Sequence, residues 1–289
     1  MSPERAASKI EISALTVYPV KAMKGISLGS AVLEAEGLQH DRRFMVVRSN
    51  GEFVTQRDTP GLALVQTRLH AEGVELSLDG QGRISLPHEP VDGEHIKTAV
   101  WGDPCETIDQ GEDISRWLTA ALQSEEKLRV VRMAAGFTRP QTQPELLGAE
   151  THTQFADAAP LLVANAASLE ALNSELLRRG EQAVPMNRFR PNITISGLSA
   201  FREHTISGLS GQDFRQQFCH PCQRCKVTTS DQETAARHPH WQPYKTLGEI
   251  NPMPDSKRAP AFGQNAIVNQ GIGATNSVGD RLQIEGSKA

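Results

Sequence analysis

Apolar and polar residues alternate through much of the first hundred positions. Val74, Leu76 and Leu78 stand between polar neighbours, and Ile84 and Leu86 repeat the pattern beyond Asp79-Gly80-Gln81-Gly82. A period of two places such residues on one side of a pleated strand, so this stretch predicts a hairpin with one buried face. Phe44-Met45-Val46-Val47 and Phe53-Val54-Thr55 flank Ser49-Asn50-Gly51 and predict another, because Asn-Gly tolerates the positive φ of tight turns. The period then changes. Ile114, Trp117, Leu118, Ala121 and Leu122 fall at helical spacing, with Asp113 placed to cap the free amides. A second helix is predicted from Ala166 to Arg179, with Leu169, Leu172 and Leu176 on its buried face and Gly180 at the C′ position. Strands return at Ile193 and Ile195, at Ala266-Ile267-Val268 and at Arg281-Leu282-Gln283-Ile284. Three prolines between Asn251 and Pro260 predict a loop, a candidate lid over a site.

Many short strands with turn signals predict a mainly β protein with some helix (α+β), built as a sandwich or small barrel. A soft boundary is expected between residues 110 and 135. With 38% hydrophobic and 22% charged residues among 289, the chain can bury a core. A formal net charge of -4 leaves no basic footprint for nucleic acid. No segment approaches the roughly 20 apolar residues of a membrane helix. The N-terminus has neither a signal-like apolar run nor an Arg-rich amphipathic stretch, so a cytoplasmic protein free of membrane is expected.

The sharpest chemical feature is Cys219-His220-Pro221-Cys222-Gln223-Arg224-Cys225, which holds three of the four cysteines. Clustered thiols in a chain of this size point toward metal or redox chemistry rather than a disulfide framework. Four readings compete. The thiols could be idle core residues. They could hold structural zinc, with His238 and His240 as the second pair, although H-x-H spacing suits tetrahedral zinc poorly. A CxxC redox pair should open a helix, whereas Lys226-Val227-Thr228-Thr229 reads as β-rich, and an iron–sulfur cluster needs a fourth cysteine where only the distant Cys105 is spare. The last reading is a single thiolate on a soft metal whose other ligands come from a cofactor. Arg224 beside Cys225 is expected to favour its thiolate. Local sequence leaves the four open.

Five stretches together resemble the MOSC family, in its amidoxime-reducing branch. They are Tyr18-Pro19-Val20-Lys21-Ala22-Met23-Lys24-Gly25, then Gly37-Leu38-Gln39-His40-Asp41-Arg42-Arg43-Phe44-Met45, then Asn187-Arg188-Phe189-Arg190-Pro191-Asn192-Ile193, then Pro221-Cys222-Gln223-Arg224-Cys225 with Thr228-Thr229, and Phe262-Gly263-Gln264-Asn265. They keep the family's order and span about residues 9 to 285. The resemblance implies an N-terminal β-barrel-like domain over 9–125 and a C-terminal MOSC β-barrel domain with flanking helices over 126–286. It implies molybdenum held by molybdopterin, with Cys225 as the protein's metal ligand and catalytic centre. By the same analogy Lys21, Arg42, Arg190, Asn192, Gln223, Arg224 and Asn265 contact the cofactor, and Asp157 relays protons. Asn192 is expected to offer an amide donor and acceptor to the pterin edge. Cys222 is not the ligand, and Cys219 has no assigned role. Relatives carry hydroxyl residues where this chain has Ala22, Ala158 and Ala159, which implies a more apolar wall. The family's association with pyridoxal phosphate is given no residue here.

The activity so implied is removal of oxygen from small N-hydroxylated bases, amidoximes or N-oxides, a detoxifying reduction by a molybdenum-dependent oxidoreductase. Because the chain ends soon after Ile284, a separate electron donor is expected, a ferredoxin or flavoprotein reductase, acting on a monomer. The alternative is a non-redox molybdopterin-binding or sulfur-carrier protein that works through a persulfide on Cys222 or Cys225.

Overall fold

The computed structural model describes residues 9–139, 143–148 and 150–288, apart from the side chain of Lys257. The start of the N-terminal stretch read for a signal, residues 1–8, lies outside them. Seven strands close into a barrel. Its order is Leu161–Asn165, Ile193–Ser196, Ile10–Val17, Arg281–Ile284, Gly208–Ser210, Arg215–Gln223 and Ser256–Gln270, and the last returns to Leu161–Asn165 through the pair Ala266–Leu161. Closure leaves these strands no edge to aggregate. Leu161–Asn165 and Ile193–Ser196 run parallel, which requires a crossover. The helix Ala166–Arg178 supplies it.

Inward positions explain the sequence pattern. In Ile10–Val17 the buried residues are Ile12, Leu15 and Val17, and the change from even to odd positions coincides with a register shift between Ile12 and Ala14. Such a bulge moves every later side chain to the other face. Val163, Ile193, Ile195, Phe218 and Ala266 complete the barrel core with them.

Against the barrel lies a half-barrel of four strands, Phe44–Arg48, Leu128–Met133, Asp103–Asp109 and His95–Val100, in that order. Phe44, Met45, Val46 and Val47 are all buried because clusters cover both faces. A three-stranded sheet (Gln66–His70, Gly73–Ser77, Arg83–Pro87) and the helix Glu112–Ala121 contribute to one of these clusters. Strand pairing does not follow chain order. Ile10–Val17 joins the C-terminal barrel, whereas Leu128–Met133 joins the N-terminal half-barrel.

Several local expectations need correction. The hairpin at Asn50-Gly51 turns as expected, but its second leg is a single bridge, Val47 to Phe53. Asp113 is not a cap. Gly111 occupies that position, and Asp113 sits in the first turn, paired with Arg116. The helix Ala166–Arg178 is capped by Asn165, whose side chain accepts from the Ala167 amide at 3.1 Å. It ends with Glu181 N donating to Leu176 O (2.9 Å) and Gly180 N to Leu177 O (3.0 Å), the Schellman arrangement that Gly180 foretold. The proline-rich stretch is no structureless loop. Pro252–Met253 pairs with the start of Ser256–Gln270 in a tight hairpin. The run after Cys225 is a 3-10 turn, Lys226–Thr229, rather than a strand.

Candidate functional site

A cavity of about 380 Å³ opens between the barrel and the half-barrel. Lys21, Arg42, Asp157, Arg190, Asn192, Gln223, Arg224, Cys225 and Asn265 all line it, so every site residue expected from the sequence comes together there.

The cationic side is organised around Tyr18. Its backbone N–H donates to Asp41 Oδ1 (2.8 Å) and its hydroxyl to Pro191 O (3.2 Å). The guanidiniums of Arg42 and Arg190 lie 4.7 and 4.1 Å from its ring centroid, within cation–π range. Both arginines hold left-handed backbone, φ 48° and 54°, which non-glycine residues rarely adopt. Burial raises the Tyr18 phenol to about 12, so it is neutral at physiological pH. Burial also pulls Arg190 down to about 10, which still leaves it cationic at pH 7. Arg42 is paired with Asp41 and also donates to Asn192 Oδ1 and Arg190 O, each at 3.2 Å.

Arg224 is braced from below. Its backbone N–H donates to Pro260 O and its Nη2 to Phe189 O, both at 2.8 Å. The Phe189 ring stacks on Phe262 with centroids 3.9 Å apart. The buried atoms Arg190 Nη2 and Arg224 Nε have no hydrogen-bond partner among the described residues. A buried guanidinium nitrogen without an acceptor is costly, and both belong to residues that line the cavity. Five cations, Lys21, Arg42, Arg57, Arg190 and Arg224, line the cavity with two carboxylates, Asp157 and Asp255, while Asp41 pairs with Arg42. This donor set fits a phosphate-bearing group.

Lys21 is 7% exposed and donates to Phe155 O (2.7 Å) and, in a very short contact, to Asp157 Oδ1. Trp101 Nε1 donates to the same oxygen at 2.8 Å. Burial opposes ionisation of Asp157, but the Lys21 ammonium and these hydrogen bonds prevail and hold the carboxyl well below its usual range. The side chain remains 68% accessible because it faces the cavity. The carboxylate anchors Lys21 and Trp101, and its depressed pKa weighs against the proton-relay role expected for it.

Cys225 caps the 3-10 turn Lys226–Thr229. Its carbonyl accepts from the Thr228 amide (3.1 Å) and hydroxyl (2.9 Å), and Thr228 and Thr229 are fully buried. Its Sγ has no partner among the described residues. Arg224, expected to act on Cys225, places Nη1 3.1 Å from Cys222 Sγ instead. All four thiols are free, and burial raises Cys219 to about 11, leaving it protonated. Among the described residues the one group of three side chains converging as metal ligands is Glu181, His238 and His240, which contains no cysteine. The second pair expected for zinc, His238 and His240, converges on Glu181 instead.

Asn192 lines the cavity, and its amide is partly committed. Its Oδ1 also accepts from Leu162 N (3.1 Å), and its Nδ2 donates to Thr16 O (3.4 Å). Its oxygen thus serves Arg42 and the Leu162 amide, and its nitrogen keeps a second N–H. Asn265 Nδ2 lies 3.4 Å from His220 Nε2. Sequence reasoning missed Trp101 and Arg57, which also line the cavity. The one available signal was Trp101-Gly102 as a turn between two short strands.

A closed barrel thus presents one unpartnered thiol beside a cluster of buried guanidiniums. The chain belongs to the MOSC family. Residues 9–125 match the MOSC N-terminal beta barrel domain, and residues 150–283 match the MOSC domain. The chain is 31% identical to mitochondrial amidoxime-reducing component 1 of Homo sapiens, over 95% of this chain and 83% of that protein. The Mus musculus counterpart is 30% identical over 95% and 82%. Molybdenum cofactor sulfurase of Danio rerio is 30% identical over 84% of this chain but only 30% of its own length. These relatives tie the chain to molybdenum-cofactor chemistry.

Proposed function

We propose that this protein is a molybdenum-cofactor-dependent reductase of small N-hydroxylated compounds, supplied with electrons by a separate ferredoxin or flavoprotein reductase. The observation that carries the reading is the position of Cys225. It lines both the cationic cavity and a second chamber of about 290 Å³ that also contains Asp157, Gln223 and Trp101. One side offers an anion cradle and the other offers room for a substrate, with a single thiol at their junction.

When bound, the molybdenum–molybdopterin group supplies two-electron redox chemistry and an oxygen acceptor. The overall change balances as R–NHOH + 2 e⁻ + 2 H⁺ → R–NH₂ + H₂O, in which the N–O bond breaks and oxygen leaves as water. The chain's own residues bind and orient. Cys225 offers a soft thiolate to the metal. Arg190, Arg224 and Arg42 would hold the phosphate by their clustered positive charge. Lys21, locked by Asp157 and Phe155 O, adds a fixed positive charge beside them. Ala22, Ala158 and Ala159 offer no hydroxyl at their positions of the wall, and Trp101, Gln223 and the Asp157 carboxylate would orient the substrate.

The test is turnover. Protein from a cofactor-competent host, reduced by dithionite-treated viologen, should convert benzamidoxime to benzamidine in proportion to its molybdenum content. Full loading without turnover of any N-hydroxylated compound would refute the reductase reading. A sulfur-carrier reading has one observation in its favour, the Arg224 guanidinium 3.1 Å from Cys222 Sγ, which suits a persulfide anion. It requires cyanide-labile sulfur on Cys222 and no molybdenum-dependent turnover.

A further inference from the structure

The second chamber holds one cation, Arg57, that is not matched to a carboxylate among the described residues and that also borders the cationic cavity. Its charged lining residues are Arg57, Asp103, Arg139 and Asp157. Asp103 and Arg139 neutralise each other through a double hydrogen bond, 2.5 and 3.0 Å, and Arg139 also donates to Ala156 O (2.6 Å) and Gln154 O (3.0 Å). Asp157 is paired with Lys21. Arg57 has no carboxylate within 4.0 Å among the described residues. Its neighbour Asp58 turns away, accepting from the Thr55 hydroxyl (2.6 Å) and amide (3.2 Å) and pairing with Arg48 at 3.6 Å.

Arg57 is nevertheless held in place. Its guanidinium stacks 4.5 Å from the Trp101 ring centroid. That ring is itself fixed by its bond to Asp157 and by an edge-on contact with Phe53 at 4.9 Å. The Arg57 amide donates to Thr55 Oγ1 (3.0 Å), and its carbonyl accepts from Arg237 Nη2 (3.1 Å), which brings a second exposed guanidinium alongside. Stacking on an aromatic face leaves the in-plane N–H fork of a guanidinium free, and a preorganised fork matches a carboxylate or phosphate bidentately.

We infer that the second chamber selects substrates with an anionic group, a carboxylate or a phosphate monoester, which pairs with Arg57 while the N–O end reaches Cys225. This rests on the reductase reading and deepens it by naming the charge class of the substrate. Arg57 is a specificity residue in this account, since it touches the distal end of the substrate and not the bond that breaks.

The experiment compares three amidoximes of one frame, bearing a para carboxylate, phosphate ester or carboxamide, with molybdenum-loaded protein and reduced viologen at low salt. The wild type should prefer at least one anionic substrate over the carboxamide by roughly tenfold in kcat/KM, a typical effect of one charge-assisted pair. Whichever anion is preferred identifies the source. The preference should collapse toward one in Arg57→Gln, persist in part in Arg57→Lys, and shrink with added salt. Equal kcat/KM for charged and neutral substrates, or a preference that survives Arg57→Gln, would overturn the inference. If no amidoxime turns over, the reductase reading fails separately. Calorimetry with the corresponding carboxylated and carboxamide amidines then decides the anion claim, which is lost if Arg57→Gln leaves their Kd ratio unchanged.

Discussion

The indole N–H of Trp101 and the carboxylate of Asp157 are joined at 2.8 Å where the cationic cavity meets the second chamber. The same carboxylate oxygen pairs with the Lys21 ammonium, so one ion pair fixes groups from three distant segments of the chain. The Lys21 ammonium and the Trp101 hydrogen bond hold the Asp157 carboxyl well below the usual carboxylate range, so it is ionised around neutrality. The pH–rate profile should therefore show no acidic limb assignable to Asp157 between about pH 5 and 8. Asp157→Asn should lower kcat by displacing Trp101 and Lys21 while leaving the shape of the profile intact. A limb near pH 6 that vanishes in Asp157→Asn would restore the proton-relay role.

Arg190 and Arg224 each bury a guanidinium nitrogen that lacks a protein partner. Arg190→Ala should weaken cofactor retention by about 2 kcal/mol, roughly thirtyfold, the loss expected for one charge-assisted contact to a phosphate. Arg190→Lys should rescue only part of it, because a point charge cannot replace a planar fork. Pterin fluorescence after acid oxidation, set against protein concentration, reads this directly. Unaltered pterin content in both variants would exclude Arg190 from the cradle.

His204 tests the barrel side. Its ring nitrogens lie 2.7 Å from Gln264 Nε2 and 3.0 Å from Asn251 Nδ2, and burial lowers its pKa from 6.5 to about 4, helped by Lys288. The folded state thus resists protonation that the unfolded chain accepts. The contribution is fully present above pH 6.5 and is lost as pH falls toward 4, in total on the order of 3 kcal/mol. Glu203, buried beside it with a raised pKa, acts with the opposite sign, so the clean quantity is the difference from His204→Gln. Denaturant unfolding from pH 7 to 4 should show wild type losing stability faster than the variant. Parallel curves would contradict the assignment.

Much of this was legible in the chain, for separable reasons. Short-range periodicity located the Val74 to Leu86 hairpin and the helix from Ala166, and Gly180 marked its end. What periodicity does not carry is long-range pairing. Nothing local in Ile10–Val17 says that it crosses into the C-terminal barrel, and its bulge breaks the alternation that would have shown its buried face. Proline content suggested a loop at Asn251 to Pro260, yet Pro252 and Pro260 face each other in a short hairpin, an edge position where a missing N–H is tolerated. The β-branched run after Cys225 was overridden because Thr228 bonds back to the Cys225 carbonyl. The site residues were found through motif resemblance rather than residue type. For that reason Arg57 and Trp101, outside every motif, went unseen, and so did the left-handed backbone that aims Arg42 and Arg190.

Molybdenum K-edge X-ray absorption on cofactor-loaded protein tests the central assignment most directly. Wild type should show one protein sulfur on the metal beyond the two dithiolene sulfurs, retained in Cys222→Ser and missing in Cys225→Ser. An unchanged sulfur shell in Cys225→Ser, or its loss in Cys222→Ser, would contradict the account.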